Sequence, residues 1–392
     1  MGPLKGIRVL DLSRILAGPW ATQLLADYGA TIWKIERPEV GDDTRHWGPP
    51  FLKDPQGIDT AESAYYLSTN RGKQSIAVDI TTESGQAIIR KLVARADILV
   101  ENFKVGGLEK YGLDYATLSA EHPGLIYCSI TGFGQTGPDA GLAGYDAMVQ
   151  ARGGLMSITG ERDGLPGAGP QKVGVAVADL MAGMYAVSAI LAALHHREKS
   201  GEGQQIDLGL LDTQVAWLAN QGMNYLIGGE APVRQGTAHP NIVPYQALPT
   251  GDGFLMLAVG NDRQFAACCK VLGQPELAQD PRFVTNRQRV KYREQLILLL
   301  EPLFRQKTTT EWRALLAAEQ VPCGPINSID QVFRDPQVLS RGMRLDLPHP
   351  VAGHVPQVAN PVKFSRTPVE YQGAPPLLGA DTETVLNWLL EE

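Results

Sequence analysis

Cysteine is scarce in this chain. The four present, Cys128, Cys268, Cys269 and Cys323, match neither a metal-ligand spacing nor a disulfide framework. HExxH, CxxC and carboxylate–histidine clusters are missing, so no metal site is expected. The GxSxG nucleophile elbow is missing too, and no cysteine has a histidine beside it in sequence, which leaves serine and cysteine hydrolase chemistry without local support. Basic residues number 35 against 42 acidic ones, a formal charge of −7, so no general field for nucleic acid exists. No repeat, low-complexity tract or signal peptide stands out. The most apolar stretch, Leu180 to Leu194, is broken by Gly183, Tyr185 and Ser188 and suits a buried helix better than a bilayer span. These absences lead us to expect a cytoplasmic or organelle-matrix protein with neither membrane nor nucleic-acid partners.

What remains is ordinary globular composition, 44% hydrophobic and 20% charged over 392 residues, enough for two domains. Strand-like segments at 7–12, 31–36, 75–79, 97–100 and 125–130 alternate with helical ones at 20–28, 83–95 and 115–121. Such alternation predicts a mostly parallel, doubly wound α/β sheet. Ligands bind such sheets outside the carboxyl ends of the strands. Those ends here are rich in Gly, Pro and charge. After Leu208 the pattern changes, with helices expected at 211–226, 263–272, 287–305 and 310–319 and a strand at 254–259. The expected division is a large domain over 1–210, a small one over 225–325, and a segment over 326–392 returning to the first. In that last segment 360–364 reads as a strand and 382–390 as a closing helix.

Asp179 is the residue that most needs a reason. It sits alone among Val, Ala, Leu and Met before a long small-residue helix that Ser200 and Gly201 stop. Leu180, Met184, Val187, Leu191 and Leu194 fall at near-helical spacing and are expected to form its core face. Two accounts of Asp179 stand open: a helix N-cap accepting first-turn N–H groups, or a reactive carboxylate. Gly132-Phe133-Gly134-Gln135-Thr136-Gly137 matches GxGxxG, but Pro138 follows where a helix should open, so a glycine-rich loop near a ligand is the better reading than a dinucleotide fingerprint. His195-His196 lies at a helix C-terminus, where cations complement the dipole. Arg14, Arg37, Arg45, Arg71, Lys73, Lys104 and Lys110 recur at strand ends and would suit phosphate if they converged.

Taken in order, several segments resemble the class III coenzyme A transferases, a family that also includes 2-methylacyl-CoA racemases. They are Arg8-Val9-Leu10-Asp11-Leu12 with Ala17-Gly18-Pro19, Lys34-Ile35-Glu36-Arg37-Pro38, Gly41-Asp42-Asp43-Thr44-Arg45, Asn70-Arg71-Gly72-Lys73, Val100-Glu101-Asn102-Phe103, Ser129 to Gly134, the Asp179 helix, Pro322-Cys323-Gly324-Pro325 and Pro361-Val362-Lys363-Phe364. The resemblance implies a Rossmann-like large domain, a smaller α+β domain, and ring-like subunits interlocked as a homodimer. It implies CoA thioester as co-substrate and no permanently bound cofactor. Asp179 falls on the family's catalytic aspartate, and its place at a helix start would favour the ionised form. By matching position Arg37, Asn102, Phe103 and Lys110 would hold the nucleotide end of CoA, Arg14, Ile15 and Leu16 its pantetheine arm, with Arg71 and Lys73 also expected on the CoA side.

A tyrosine, Tyr145, stands where the racemases carry a histidine base, and tyrosine is a poor base at neutral pH. That weighs against the isomerase alternative; a catalytically silent CoA-binding protein is the other one. Formyl-CoA and oxalate are not the expected substrates, because the formyl-CoA transferases' tetraglycine loop has no counterpart. The segment Gly236 to Gln246 resembles the dicarboxylate branch of the family, so the expected reaction moves CoA from succinyl-CoA to a carboxylate such as glutarate. His239 and Tyr245 would line the acyl pocket beside Tyr145, with Arg45 for a distal carboxylate.

Overall fold

The computed structural model describes residues 1–391 and divides them into two compact units. The first is built from Met1–Leu155, Val173–Gly228 and the chain from Pro336 onward; the second from Met156–Lys172 and Gly229–Asp335.

Strands β1 (Arg8–Asp11) and β2 (Thr31–Glu36) are followed by a separate antiparallel hairpin, β3 (Phe51–Lys53) and β4 (Asp59–Ser63). Then come β5 (Lys73–Ala77), β6 (Ile98–Glu101), β7 (Ile126–Thr131) and β8 (Gln205–Gly209). Six of these form one parallel sheet in the order β5-β2-β1-β6-β7-β8. The chain thus runs outward from β1 on one side, then restarts beside β1 at β6 and runs outward on the other. That reversal makes a switch point between the carboxyl ends of β1 and β6, the place where doubly wound sheets take ligands.

Both faces of the sheet are buried, which is why the strands read as near-continuous apolar runs. Alternate residues Val9, Ile32, Ile98 and Ile126 pack under the helices Ala17–Asp27 and Val177–Ser200. Their neighbours Leu10, Trp33, Leu99 and Tyr127 face the other way, onto a cluster that includes Ile89 and Leu92 of the helix Glu83–Val93 and Val385 of the helix Thr382–Glu391. The chain's last segment therefore completes the core of the first unit.

The long helix buries only part of the face its spacing predicts, Val187 and Leu194 but not Met184 or Leu191. Ala182, Gly183, Ala186, Val187, Ile190, Ala193 and Leu194 are buried, while Met184 and Leu191 are 42% and 37% exposed. Close approach decides this: a Cβ on Gly183 would lie 2.8 Å from the carbonyl oxygen of Ala17 and 2.9 Å from the Trp20 ring. Small residues let the two helices touch, and Met184, Tyr185 and Leu191 are left outside. By length and composition alone this helix is apolar enough to cross a membrane, but half of that window is packed inside the protein. Gly201 ends it in a left-handed conformation, φ +77°.

Three further differences are local. The helix expected over 211–226 is two, Leu210–Ala216 and Ala219–Gly228, broken where Ala219 takes φ +45°. The helix expected over 287–305 is also two, Asn286–Lys291 and Arg293–Phe304, because Tyr292 leaves the helical region. Residues 360–364 are not a strand.

In the second unit, β9 (Tyr245–Pro249), β10 (Phe254–Ala258) and β11 (Cys323–Pro325) form an antiparallel sheet in the order β11-β10-β9. Leu255 and Leu257 pack on Phe265, Leu296, Leu300, Phe304, Trp312 and Leu316 of the surrounding helices. Back in the first unit, the sheet-forming part of the tail is the hairpin β12 (Arg344–His349) and β13 (Gly353–Val358). Asn360, beyond it, donates through Nδ2 to Asp27 Oδ2 at 3.0 Å instead of joining a sheet.

Candidate functional site

A cavity of about 550 Å³ opens outside the carboxyl ends of the parallel strands, within the range of small-molecule sites. Its wall is made by 12–17 after β1, Arg37 and 41–43 after β2, 78–81 after β5, 102–105 after β6 and 130–132 at the end of β7, with 140 and 142–145 and Asp179. It brings together Arg14, Ile15, Leu16, Arg37, Asn102, Phe103, Lys110, Tyr145 and Asp179. Those are nine of the fourteen residues that the sequence puts forward for CoA, substrate and catalysis.

Asp179 is the third residue of the helix Val177–Ser200, not its cap; the cap position is Ala176, and no side chain of the helix start caps it locally. The capping is done from elsewhere. Asp146 Oδ1 accepts from the backbone N–H of Ala178 at 2.8 Å, and Oδ2 accepts from Gln150 Nε2 at 2.7 Å. Gln150 Oε1 in turn accepts from Val173 N at 2.9 Å. Asp179 is thereby released from the role that competed with reactivity. Its carboxyl is pushed up to about 7, first by burial and then by the negative charge of Asp146. The helix start was expected to favour the ionised form; burial beside a second acid outweighs it. A desolvated carboxylate with such a pKa is a better nucleophile than one in water, and it titrates in the working range of a cell.

The glycine-rich loop serves this geometry. A Cβ on Gly132 would fall 2.6 Å from Gly144 Cα, and one on Gly144 would fall 2.3 Å from Gly132 Cα. Glycine at both positions lets two backbones cross in contact, which delivers Tyr145 and Asp146 to the helix start. No helix opens until Asp146–Arg152, so the GxGxxG match is a chain crossing, not a phosphate cradle at a helix. Tyr145 is 63% exposed and lines the cavity.

Elsewhere in the cavity wall, Ile15 takes φ +72°. A β-branched residue adopts that left-handed conformation at a cost of about 1–3 kcal/mol, and only where its surroundings hold it there. Here Asp42 accepts from Ile15 N at 3.2 and 3.3 Å through its two oxygens. Buried Lys34 donates to Asp42 Oδ2 at 2.8 Å and to Ser13 O at 3.1 Å. Asn102 pairs with both the N–H (3.0 Å) and the carbonyl (2.7 Å) of Arg14.

Five candidates do not line the cavity. Arg45 is buried against Glu36, with bonds of 2.8 Å from Nε and from Nη2, and reaches Glu62, the Tyr66 hydroxyl and the Pro376 carbonyl. Arg71 is clamped to Asp27 at 2.6 and 2.9 Å and to the Val358 carbonyl. Lys73 donates to Asp11, Asn70 and the Pro19 carbonyl. Each of these cations has its own acid, Glu36 and Asp11 at strand ends and Asp27 at the end of the helix Ala17–Asp27, and a buried charge must be paired; none of the three lines the cavity. His239 and Tyr245 belong to the second unit. There, His239 N donates to the Tyr245 carbonyl at 2.8 Å and the two rings lie 5.3 Å apart. Burial, then the Arg293 charge, lowers the His239 pKa.

Several contributors escape sequence reasoning. Asp146 looks like any first-turn acid. Tyr65, stacked edge-on against Trp47 at 5.2 Å, is pushed up to about 12 by burial and then by the charges of Asp179 and Asp146, so it shares their field. Glu101, buried at the end of β6, accepts from Phe103 N at 2.7 Å and is raised to about 6 by burial. Its adjacency to Asn102-Phe103 was the only available signal. Among the described residues, no group of three or more His, Cys, Asp or Glu side chains is arranged to hold a metal ion.

Comparison with known proteins fits this geometry. The family described as CoA-transferase family III matches residues 4–382. The succinate–glutarate CoA-transferase of Agrobacterium fabrum (strain C58) is 54% identical over 389 residues, covering 98% of this chain and 95% of its own. The human succinyl-CoA:glutarate CoA-transferase is 46% identical, with 99% of this chain and 86% of its own covered. Among solved structures, a CAIB/BAIF family protein from Brucella suis superposes with a TM-score of 0.87 at 49% identity, covering 99% of both chains. The chain belongs to CoA-transferase family III.

Proposed function

We propose that this enzyme transfers coenzyme A from succinyl-CoA to a small dicarboxylate, glutarate, with Asp179 as the covalent carrier. The observation that carries the reading is one acid, raised to about 7, in the wall of a cavity at the switch point of a parallel sheet. The names of the Agrobacterium and human relatives support the choice of donor and acceptor.

The chemistry balances without another reactant. An Asp179 oxygen attacks the thioester carbonyl; the C–S bond breaks, leaving an acyl-aspartyl anhydride and CoA thiolate. The thiolate attacks the aspartyl carbonyl, releases succinate and leaves an aspartyl-CoA thioester. Glutarate attacks that thioester, the displaced thiolate attacks the glutaryl carbonyl of the new anhydride, and Asp179 is freed as a carboxylate. Every intermediate keeps one activated acyl group, so the acyl-CoA thioester is a co-substrate and the cycle needs no ATP. Arg37, Asn102, Phe103 and Lys110 hold the nucleotide end of CoA in this reading, and the Arg14-Ile15-Leu16 turn flanks the pantetheine arm. His239 and Tyr245 contribute to the acyl pocket.

The working form in this reading is an interlocked homodimer in the cytoplasm. Exposed Met184, Tyr185, Trp217, Leu226 and Ile227 on the first unit supply apolar surface for a second copy. A mass-spectrometric screen of succinyl-CoA, acetyl-CoA and related donors against a carboxylate panel tests the assignment. Glutaryl-CoA from succinyl-CoA, absent with D179A, is expected. Undiminished transfer by D179A overturns the mechanism, and transfer confined to monocarboxylates overturns the substrate class. Deuterium uptake at the α-carbon of a 2-methylacyl-CoA from heavy water points to the isomerase alternative.

A further inference from the structure

Ile15 is the strained residue of the cavity wall, and its restraints form one connected set. Three consecutive residues, Ser13 to Ile15, have five backbone polar groups held by side chains. Asp11 Oδ1 accepts from Ser13 N at 3.0 Å, and Lys34 Nζ donates to Ser13 O. Asn102 takes both groups of Arg14, and Asp42 takes Ile15 N. Asp42 is fixed in its turn: Oδ1 accepts from Thr44 N at 3.0 Å and from Thr44 Oγ1 at 2.8 Å, while Oδ2 accepts from Lys34. Lys34 and Asp42 are both buried, the lysine with 0% exposure. A buried ion pair is weak evidence for stability, so its use has to be sought in what it holds. What it holds is a left-handed isoleucine, a conformation that persists only when neighbours over-determine it.

We propose that Asp42, anchored by Lys34, is a positioning residue that keeps Ile15 left-handed so that the 14–16 turn presents a fixed wall to the acyl-CoA thioester. The proposal rests on the acyl-CoA reading of the cavity. The Asp42 side chain is fully buried behind the wall and acts through the Ile15 amide. The pair is therefore a specificity and affinity device for the CoA side, separate from the Asp146–Asp179 pair that sets the reactivity of the nucleophile.

Glycine separates this role from a merely structural one, because it adopts φ near +72° without steric cost. In an I15G background the restraint is largely dispensable; in I15V, another β-branched residue, it is not. D42A, which removes the acceptor, is introduced into wild type, I15G and I15V, and KM for succinyl-CoA, KM for glutarate and kcat are measured. We expect D42A to raise KM for succinyl-CoA about tenfold or more in wild type and I15V, but less than about threefold in I15G, with KM for glutarate little moved. An equal rise in all three backgrounds overturns the proposal, as does no rise at all. Should D42A not fold, K34Q, which keeps a donor toward Ser13 O, goes through the same cycle under the same criteria. Transfer by the wild-type chain tests the acyl-CoA reading itself, so failure of that reading and failure of the turn's role give different results.

Discussion

The titration of Asp179 gives the mechanism a measurable pH signature. With the carboxyl at about 7, the attacking carboxylate is about one part in eleven at pH 6 and about ten parts in eleven at pH 8. If attack needs the ionised form, kcat/KM for succinyl-CoA climbs about tenfold between those values, since this parameter reports ionisation of the free enzyme. An ordinary aspartate would be fully ionised throughout and give a flat profile. The second cause of the shift can be removed by itself: D146N deletes the neighbouring charge while its amide oxygen still accepts from Ala178 N. Burial remains the larger cause, so the acid limb moves to lower pH in D146N without reaching the value of a free carboxylate. The assay is initial-rate formation of glutaryl-CoA from pH 5.5 to 8.5, with circular dichroism at each pH to confirm that the chain stays folded. A flat wild-type profile refutes the reasoning, and so does an acid limb that D146N leaves in place.

The same shift has a sign in stability. A carboxylate whose pKa is higher folded than unfolded weakens the fold above the unfolded value; the penalty grows as pH rises and is complete above about 7. D179N therefore raises the melting temperature at pH 8, by the equivalent of at most about 4 kcal/mol, and the difference disappears near pH 4; equal melting temperatures at pH 8 contradict this. Arg71 and Arg37 should separate cleanly. R71M breaks a buried pair and costs on the order of 3–5 kcal/mol in chemical denaturation, whereas R37M raises KM for succinyl-CoA and leaves the denaturation midpoint in place. G132A forces a methyl into the Gly144 backbone, so we expect about 1–3 kcal/mol of destabilisation together with a displaced acid limb, because Asp146 is carried on that crossing.

How far the chain was legible in advance depended on whether a feature was local. Strand and helix alternation in the first two hundred residues revealed the doubly wound sheet, because both faces are covered and the strands read as apolar runs. Tyr115–Glu121 and Thr31–Glu36 fall on the expected residues. The long helix misled at Met184 and Leu191 because spacing treats Leu and Met as core, whereas contact with Ala17 and Trp20 at Gly183 admits no side chain. Arg45, Arg71 and Lys73 misled for a related reason. A basic residue at a strand end reads the same whether it faces a ligand or a buried acid, and Glu36, Asp27 and Asp11 become partners only in three dimensions. Asp179 was legible as an anomaly, but its cap came from Asp146, 33 positions earlier in the chain, which no local pattern announces. The strain at Ile15 was invisible, since isoleucine carries no signal for a left-handed turn.

Covalent capture on the enzyme tests the central claim most directly. Donor-treated protein is reduced with borohydride, digested, and mapped by mass spectrometry. The account predicts reduction at Asp179 in the wild type, dependent on succinyl-CoA, and none in D179A. A donor-dependent modification on another residue, or glutaryl-CoA formation by D179A at the wild-type rate, would contradict it.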